Sequence, residues 1–382
     1  MPVYLDHNAT SPIRPEARDA MLKAMAIGGN PSSVHGAGRC ARTLLENARS
    51  AIAKAIGTRS QDLTFTSGGT ESNNLAIAAA LTCPDVKRIL VSVLEHDAAW
   101  MGAHATGYPV EIVPALPNGQ IDLRWLEQRL TNWDRDTEGR PFACLQAVTS
   151  ETGVIQPIDE AGAMIRAAEG LLLVDAVQTL GKTGFHFGRS GAHYASISAH
   201  KVGGPQGVGA LIVSCDAPCD LPRRGGGQEK GRRSGTENVP GACGFAAAVE
   251  AAVRDEEQYT GLAALRDKAE IAIRAAAPHA VVIGGDVPRT PNCLAIAIPG
   301  WDGGMQVIAL DLAGICISAG SACSSGKSTA PRPWTAIVGE DLARCGIRVS
   351  LGWSTTEADI DQFIKAWTRE YARVAPRLKE IA

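Results

Sequence analysis

Between about residues 13 and 255 the chain alternates short apolar or β-branched runs with longer stretches whose apolar residues recur at helical spacing. That alternation predicts a mostly parallel sheet covered by helices, an α/β fold. Strands are predicted over 62–66, 88–93, 110–114, 142–148, 171–174, 194–198 and 209–213. Helices are predicted over 15–26, where Pro15 suits a first turn, over 40–56, where Leu44, Leu45, Ala48, Ile52 and Ile56 mark one face, and over 73–81. Past the Ala-rich stretch 245–253 and a helix-like stretch 262–277, the texture changes to strands, a glycine-serine loop and a last strand-helix pair. A boundary is therefore placed near 255. It divides a large unit, 13–255, from a smaller α+β C-terminal unit formed by 1–12 and 256–382. The final helix opens at Thr356, with Asp359 completing a capping box, and runs to about 372.

Composition narrows the classes. With 45% hydrophobic and 20% charged residues over 382 positions, most of the chain has enough apolar surface to fold. Lys+Arg 37 against Asp+Glu 40 leaves a charge of −3, so no global basic field draws it to nucleic acid or an anionic membrane. No run reaches the ~18 apolar residues of a membrane span, and Met1-Pro-Val-Tyr-Leu-Asp-His has no signal-peptide character. A cytoplasmic protein with reduced thiols is expected, and Cys215 and Cys219 lack the spacing of a metal site.

Three glycine-rich stretches compete for attention. Ser67-Gly-Gly-Thr-Glu-Ser72 follows a predicted strand and opens a helix, which aims backbone N–H groups at an anion, phosphate above all; an ordinary capped turn has the same residues. Gly36-Ala-Gly38-Arg-Cys-Ala41 imitates a dinucleotide loop, but Asn30-Pro-Ser-Ser33 precedes it where a strand is required. Ser321-Ala-Cys-Ser-Ser-Gly326-Lys327-Ser328 imitates a nucleotide-binding P-loop, yet Pro331 and Pro333 would break the helix that must follow. More informative is the pair Asp175 and Lys201. Each follows a predicted strand, so carboxylate and amine reach the same sheet edge, where open α/β sheets place ligand groups. A salt bridge would satisfy them; so would pyridoxal 5'-phosphate (PLP), which needs a nucleophilic lysine and an acid for its ring nitrogen.

These residues sit in seven ordered motifs: Leu5-Asp-His-Asn-Ala-Thr-Ser-Pro12, Phe65-Thr-Ser-Gly-Gly-Thr-Glu-Ser72, Glu95-His96, Val174-Asp-Ala-Val-Gln178, Ser198-Ala-His-Lys201, the stretch from Gly225 to Asn238, and Ser318-Ala-Gly-Ser-Ala-Cys323. Over nearly its whole length the chain resembles the cysteine desulfurases, PLP enzymes of the class V aminotransferase family with fold type I. The resemblance implies that Lys201 carries the cofactor, Asp175 pairs with the pyridine nitrogen and His96 stacks on the ring. It further implies that Gln178 contacts the phenolic oxygen, and that Gly69, Thr70, Ser198 and His200 hold the phosphate. Thr236 is implied to reach the phosphate of the other subunit, hence a homodimer with shared sites. Arg348, on the polar face of the strand Gly346-Ile-Arg-Val-Ser-Leu-Gly352, suits the substrate carboxylate.

Cys323 lies in a loop, about 318–333, of Gly, Ser and Ala that is expected to be mobile, whereas Cys316 between Ile315 and Ile317 reads as a core thiol. By the resemblance, Cys323 takes sulfur from L-cysteine as a persulfide and leaves L-alanine, with Lys201 as proton acceptor and His96 moving a proton near the sulfur. An acceptor protein then receives the sulfur for iron–sulfur clusters, a nitrogenase system or thiolated cofactors. A selenocysteine lyase or sulfinate-releasing relative would depend less on Cys323, and a non-catalytic sulfur-delivery scaffold would need neither Lys201 nor Cys323. One departure concerns the cofactor site: Ser150 stands where the family usually has Asn, so a bridging water is expected there.

Overall fold

A computed structural model describes residues 2–222, 225–320 and 330–378. In chain order the described strands are β1 (Val3–Tyr4), β2 (Leu63–Thr66), β3 (Arg88–Ser92), β4 (Val110–Val113), β5 (Pro141–Gln146), β6 (Leu171–Asp175), β7 (Tyr194–Ser198), β8 (Gly209–Val213), β9 (Val281–Val282), β10 (Cys293–Ala297), β11 (Ile315–Cys316) and β12 (Gly346–Ser350). The seven predicted runs, β2 to β8, make one sheet in the order β2-β8-β7-β6-β5-β3-β4. From β7 to β4 neighbours run parallel, while β8 is antiparallel to both β7 and β2. Strands β5 to β8 are buried along their whole length, which is why they read as unbroken apolar runs and not as alternating ones. Successive residues feed opposite cores: Leu145, Val174 and Ile197 one, Cys144, Leu173 and Tyr194 the other.

A second sheet of three strands pairs β10 antiparallel with β12 and β9, and β1 pairs parallel with β11. Val3 and Leu5 pack with Leu294, Val349, Phe363 and Trp367 in a third core, so the N-terminal residues join the C-terminal sheet. Ile347, Val349 and Leu351 face that core as the alternation predicts. Cys316 departs from expectation. Ile315 and Ile317 take the buried positions and the thiol between them is only half-buried.

Helix starts differ from the predictions in informative ways. The helix Gly36–Ile56 takes the glycines of the dinucleotide-like stretch into its first turn, where a Cβ at Gly38 would sit 2.3 Å from the Ser33 carbonyl oxygen. The helix predicted from 73 begins at Gly69 and runs to Ala80. Pro331 and Pro333 do not break a helix but open one, Arg332–Val338, whose first turn needs no intrahelical N–H donors. The last helix, Glu357–Leu378, has the expected capping box: Thr356 N–H donates to Asp359 Oδ2 (2.8 Å) and Asp359 N–H to Thr356 Oγ1 (3.3 Å). It passes 372 because Val374 and Leu378 keep packing on the same core. Among the described residues no helix is long and apolar enough to cross a membrane.

Candidate active site

Register sets the site. Gln146 lies opposite Asp175, and Asp175 opposite Ser196, so the carboxyl ends of β5, β6 and β7 form one edge. Above it opens a cavity of about 180 Å³ whose lining includes Gly69, Thr70, His96, Ser150, Asp175, Gln178, Ser198, His200, Lys201 and Arg348. Thr236 is not part of it; it borders a separate cleft with Phe65, Glu229 and Asn238. Cys323 lies outside the described residues.

Asp175 is buried and held from two sides, by Asn73 Nδ2 at 2.8 Å on Oδ2 and by the Val177 N–H at 3.0 Å on Oδ1. Beneath it Glu95 is 1% exposed, and neither of its carboxyl oxygens has a hydrogen-bond partner. Burial and the Asp175 charge push Glu95 well above the usual carboxylate range.

The Lys201 amine points into the cavity and donates to the carbonyls of Asn8 (2.6 Å) and Ala9 (2.8 Å). Asn8 is a hub: its carbonyl also accepts from Gln178 Nε2 (2.9 Å), its Oδ1 from Lys182 Nζ (3.0 Å) and Asn292 Nδ2 (3.0 Å), and its Nδ2 donates to the Ser150 carbonyl (3.1 Å). The His96 ring caps the helix Asp97–His104, its Nδ1 accepting from the Ala98 N–H at 3.1 Å, so the neutral ring carries its proton on Nε2. His200 Nδ1 lies 3.2 Å from Thr10 Oγ1, and burial together with the Lys201 charge lowers its pKa to about 4.

On the opposite rim Arg348 is 1% exposed. It donates to the Ser150 carbonyl (3.2 Å) and to Asp6 Oδ1 (2.7 Å), while its Nε stays without an acceptor. Ser318 Oγ holds the other Asp6 oxygen at 2.8 Å. A guanidinium so fixed has donors left for a carboxylate ligand.

The phosphate corner fits an anion. The helix Gly69–Ala80 starts beside Ser198, whose hydroxyl is 3% exposed and has no partner. A Cβ at Gly69 would come within 2.6 Å of Val177 Cγ2, so backbone N–H groups line this corner only because the residue is glycine. An orphaned hydroxyl at a helix N-terminus, a lysine amine and a buried carboxylate are the groups that PLP requires. Asn8, Asn73, Lys182 and Asp6 were not singled out from the sequence. Asn8 and Asp6 stand inside the first quoted motif, Asn73 directly follows the second, and Lys182 lies four residues past Gln178.

The chain matches the family model described as Aminotransferase class-V over residues 3–363. A cysteine desulfurase of Cereibacter sphaeroides is 36% identical over 371 residues, spanning 95% of this chain and 94% of that protein. The cysteine desulfurase NifS of Azotobacter vinelandii is 34% identical over 388 residues, spanning 100% and 94%. Among solved structures, a NifS-like protein from Rickettsia africae superposes with a TM-score of 0.89 at 33% identity, covering 97% of this chain and 100% of that one. A structure described as SspA in complex with cysteine gives 0.77 at 26%, covering 91% and 98%. With likeness of sequence and of fold extending over the full length, the chain belongs to the class-V aminotransferase family, among its cysteine desulfurases.

Proposed function

We propose that the protein converts L-cysteine to L-alanine with PLP on Lys201 and passes the sulfur to Cys323 as a persulfide. The observation that carries the reading is the convergence of the Lys201 amine and the Asp175 carboxylate on one cavity whose far corner holds an unpartnered serine hydroxyl at a helix N-terminus. When bound, PLP supplies an electron sink for negative charge at the substrate Cα. Asp175 keeps a proton on the ring nitrogen, and Gln178 donates to the phenolic oxygen. Gly69, Thr70, Ser198 and His200 receive the phosphate, His96 covers the ring, and Arg348 holds the substrate carboxylate.

Lys201 removes the Cα proton as general base. The Cys323 thiolate then attacks the substrate sulfur; the new S–S bond forms as the Cβ–S bond breaks, and Cβ keeps the electron pair and takes a proton. His96, whose Nδ1 accepts from the Ala98 N–H and leaves the proton on Nε2, exchanges one near that sulfur. The sum is cysteine plus enzyme thiol giving alanine plus enzyme persulfide, with no outside oxidant. Thr236, which borders a different cleft from its own chain's cavity, serves the partner's phosphate in a homodimer. The same reading takes 13–255 as the cofactor-binding unit, with 1–12 and 256–382 as its smaller companion. It has the enzyme work in the cytoplasm and hand sulfur to an acceptor protein.

Borohydride reduction followed by peptide mapping is expected to put the pyridoxyl group on Lys201; finding it on Lys182 or Lys327 would overturn the assignment. Cys323→Ser is expected to stay yellow and change colour with cysteine while losing alanine and persulfide production. Wild-type turnover by that variant would make Cys323 a bystander.

A further inference from the structure

We propose that Arg332 is a positioning residue for His96: it holds the backbone on both sides of that ring and ties it to the segment that follows Cys323. The inference deepens the reading of the same site and rests on PLP occupying it and on His96 moving a proton near the substrate sulfur.

His96 stands in a turn between β3, which ends at Ser92, and the helix Asp97–His104. A turn of this kind meets few of its own carbonyls, so donors must come from elsewhere. Arg332 NH1 donates to the carbonyls of Val93 and Glu95, each at 2.9 Å, and NH2 donates to Asp97 Oδ1 at 2.9 Å. Gln146 Nε2 meets the Leu94 carbonyl, and the N–H groups of Ala99 and Trp100 meet that of His96, both at 3.1 Å. Every carbonyl from 93 to 96 thus has a donor, and one guanidinium serves two of them. Its Cζ also lies 3.9 Å from the Trp100 ring centre, a cation–π contact with the helix that His96 caps.

Arg332 itself projects from a fixed place. It opens the helix Arg332–Val338, in which Trp334 is fully buried and its indole N–H donates to the Glu151 carbonyl at 3.3 Å. On its other side, a Cβ at Gly320 would lie 2.1 Å from Pro331 Cγ. Gly320 and Pro331, which bracket the stretch carrying Cys323, are therefore in contact one residue from the guanidinium. Arg332 sets where the His96 ring sits relative to the root of that stretch.

Lys201 is held by other elements, through the carbonyls of Asn8 and Ala9, and Asp175 by Asn73 and the Val177 N–H. Loosening Arg332 therefore reaches the sulfur step and spares removal of the Cα proton. A misplacement of about 1 Å in a reacting group costs on the order of 10²-fold in rate, and the His96 cap on Ala98 survives the loss of Arg332, so a loss of roughly 10–100-fold is expected. The Asp97 carboxylate is half-exposed, so its ion pair contributes less than the two carbonyl bonds.

The test compares two reactions of the cofactor-loaded enzyme: alanine formed from L-cysteine, which needs the sulfur step, and exchange of the L-alanine Cα hydrogen for solvent deuterium, which does not. In Arg332→Met the first is expected to fall roughly 10–100-fold at saturating cysteine while the second stays within about twofold of wild type. Apart from any turnover, amide hydrogen exchange over 96–100 should quicken by about tenfold in that variant, with 196–201 unchanged. In a His96→Ala enzyme the same substitution should cost no more than about twofold further, since its effect runs through that ring. Arg332→Lys, which keeps a cation without the planar fork, and Asp97→Ala, which leaves the carbonyl bonds, should lose alanine formation by about threefold to tenfold and serve where the methionine variant fails to fold. Equal losses in the two reactions, unchanged alanine formation in the variants, unmoved amide exchange, or the full loss recurring in the His96→Ala enzyme overturns the proposal. Failure of the underlying reading looks different: the wild type itself would form no alanine from cysteine, or His96→Ala would turn cysteine over at the wild-type rate.

Discussion

Glu229 stands at φ 48° and Lys230 at φ 60°, both in the left-handed region that non-glycine residues avoid at a cost of roughly 1–3 kcal/mol each. The stretch 225–238, which carries Thr236, is held in that conformation by a buried pair. Arg49 NH1 and NH2 donate to the two Glu229 oxygens at 2.7 and 2.9 Å, the Phe65 N–H adds a third bond at 2.9 Å, and the guanidinium lies 4.8 Å from the Phe65 ring centre. Both side chains are nearly inaccessible, at 2% for Arg49 and 5% for Glu229. Glu229→Ala removes the partner, keeps the backbone strain and leaves a buried cation with only the Leu63 carbonyl and the half-exposed Glu46, 3.2 Å away. Breaking one side of such a pair costs about 3–5 kcal/mol.

At a urea slope of about 3 kcal/mol per M, that is a midpoint drop of roughly 1–1.7 M, read on the first unfolding transition by tryptophan fluorescence. The double variant Arg49→Met, Glu229→Ala removes both charges, so it should recover about half of the loss, and the pair should show a coupling of roughly 2–3 kcal/mol. Cofactor retention on dilution should fall in the single variant, since the stretch bearing Thr236 loses its tether. A single variant within about 0.3 M of wild type, or a double variant whose loss equals the sum of the two singles, would refute the reasoning, because the pair would then contribute neither stability nor position.

Ser150→Asn should leave PLP bound and change cysteine turnover about tenfold or less, measured as alanine formed, because the contacts that Asn8 and Arg348 make run to the Ser150 main chain, which the substitution keeps. Gly69→Ala places a methyl 2.6 Å from the stiff Val177 side chain, so the start of the helix must shift; PLP affinity, followed by fluorescence quenching, should weaken by about tenfold while the far-UV spectrum stays unchanged. Burial lowers His7 to about 3 and His193 and His200 to about 4, so the unfolded chain binds more protons than the folded one between roughly pH 6.5 and 4. Stability should therefore decline as pH falls through that window, and His193→Gln, far from the cavity, should flatten the slope by about one proton; an unchanged slope would show that His193 does not titrate on unfolding.

Seven strands and the two members of the proposed lysine-carboxylate pair were legible because a strand buried on both faces is an apolar run, and a polar residue at or just past its carboxyl end is placed near the sheet edge by geometry alone. Asp175 and Lys201 follow that logic. Gly69 shows where it stops. The pair Gly68-Gly69 reads as a turn, yet the helix begins on Gly69 itself because the close approach to Val177 demands a residue without Cβ there, a contact between segments more than a hundred residues apart in the chain. Asn8 was hidden for the same reason. Its segment is tied to the fold through two residues of β1 pairing with β11 and by the bridge from Asp6 to Ser350, and no periodicity announces that this short stretch passes over the ends of β6 and β7. Once it does, a single asparagine between two lysines turns a sequence separation of 19 positions, Lys182 to Lys201, into a shared hydrogen-bonding residue.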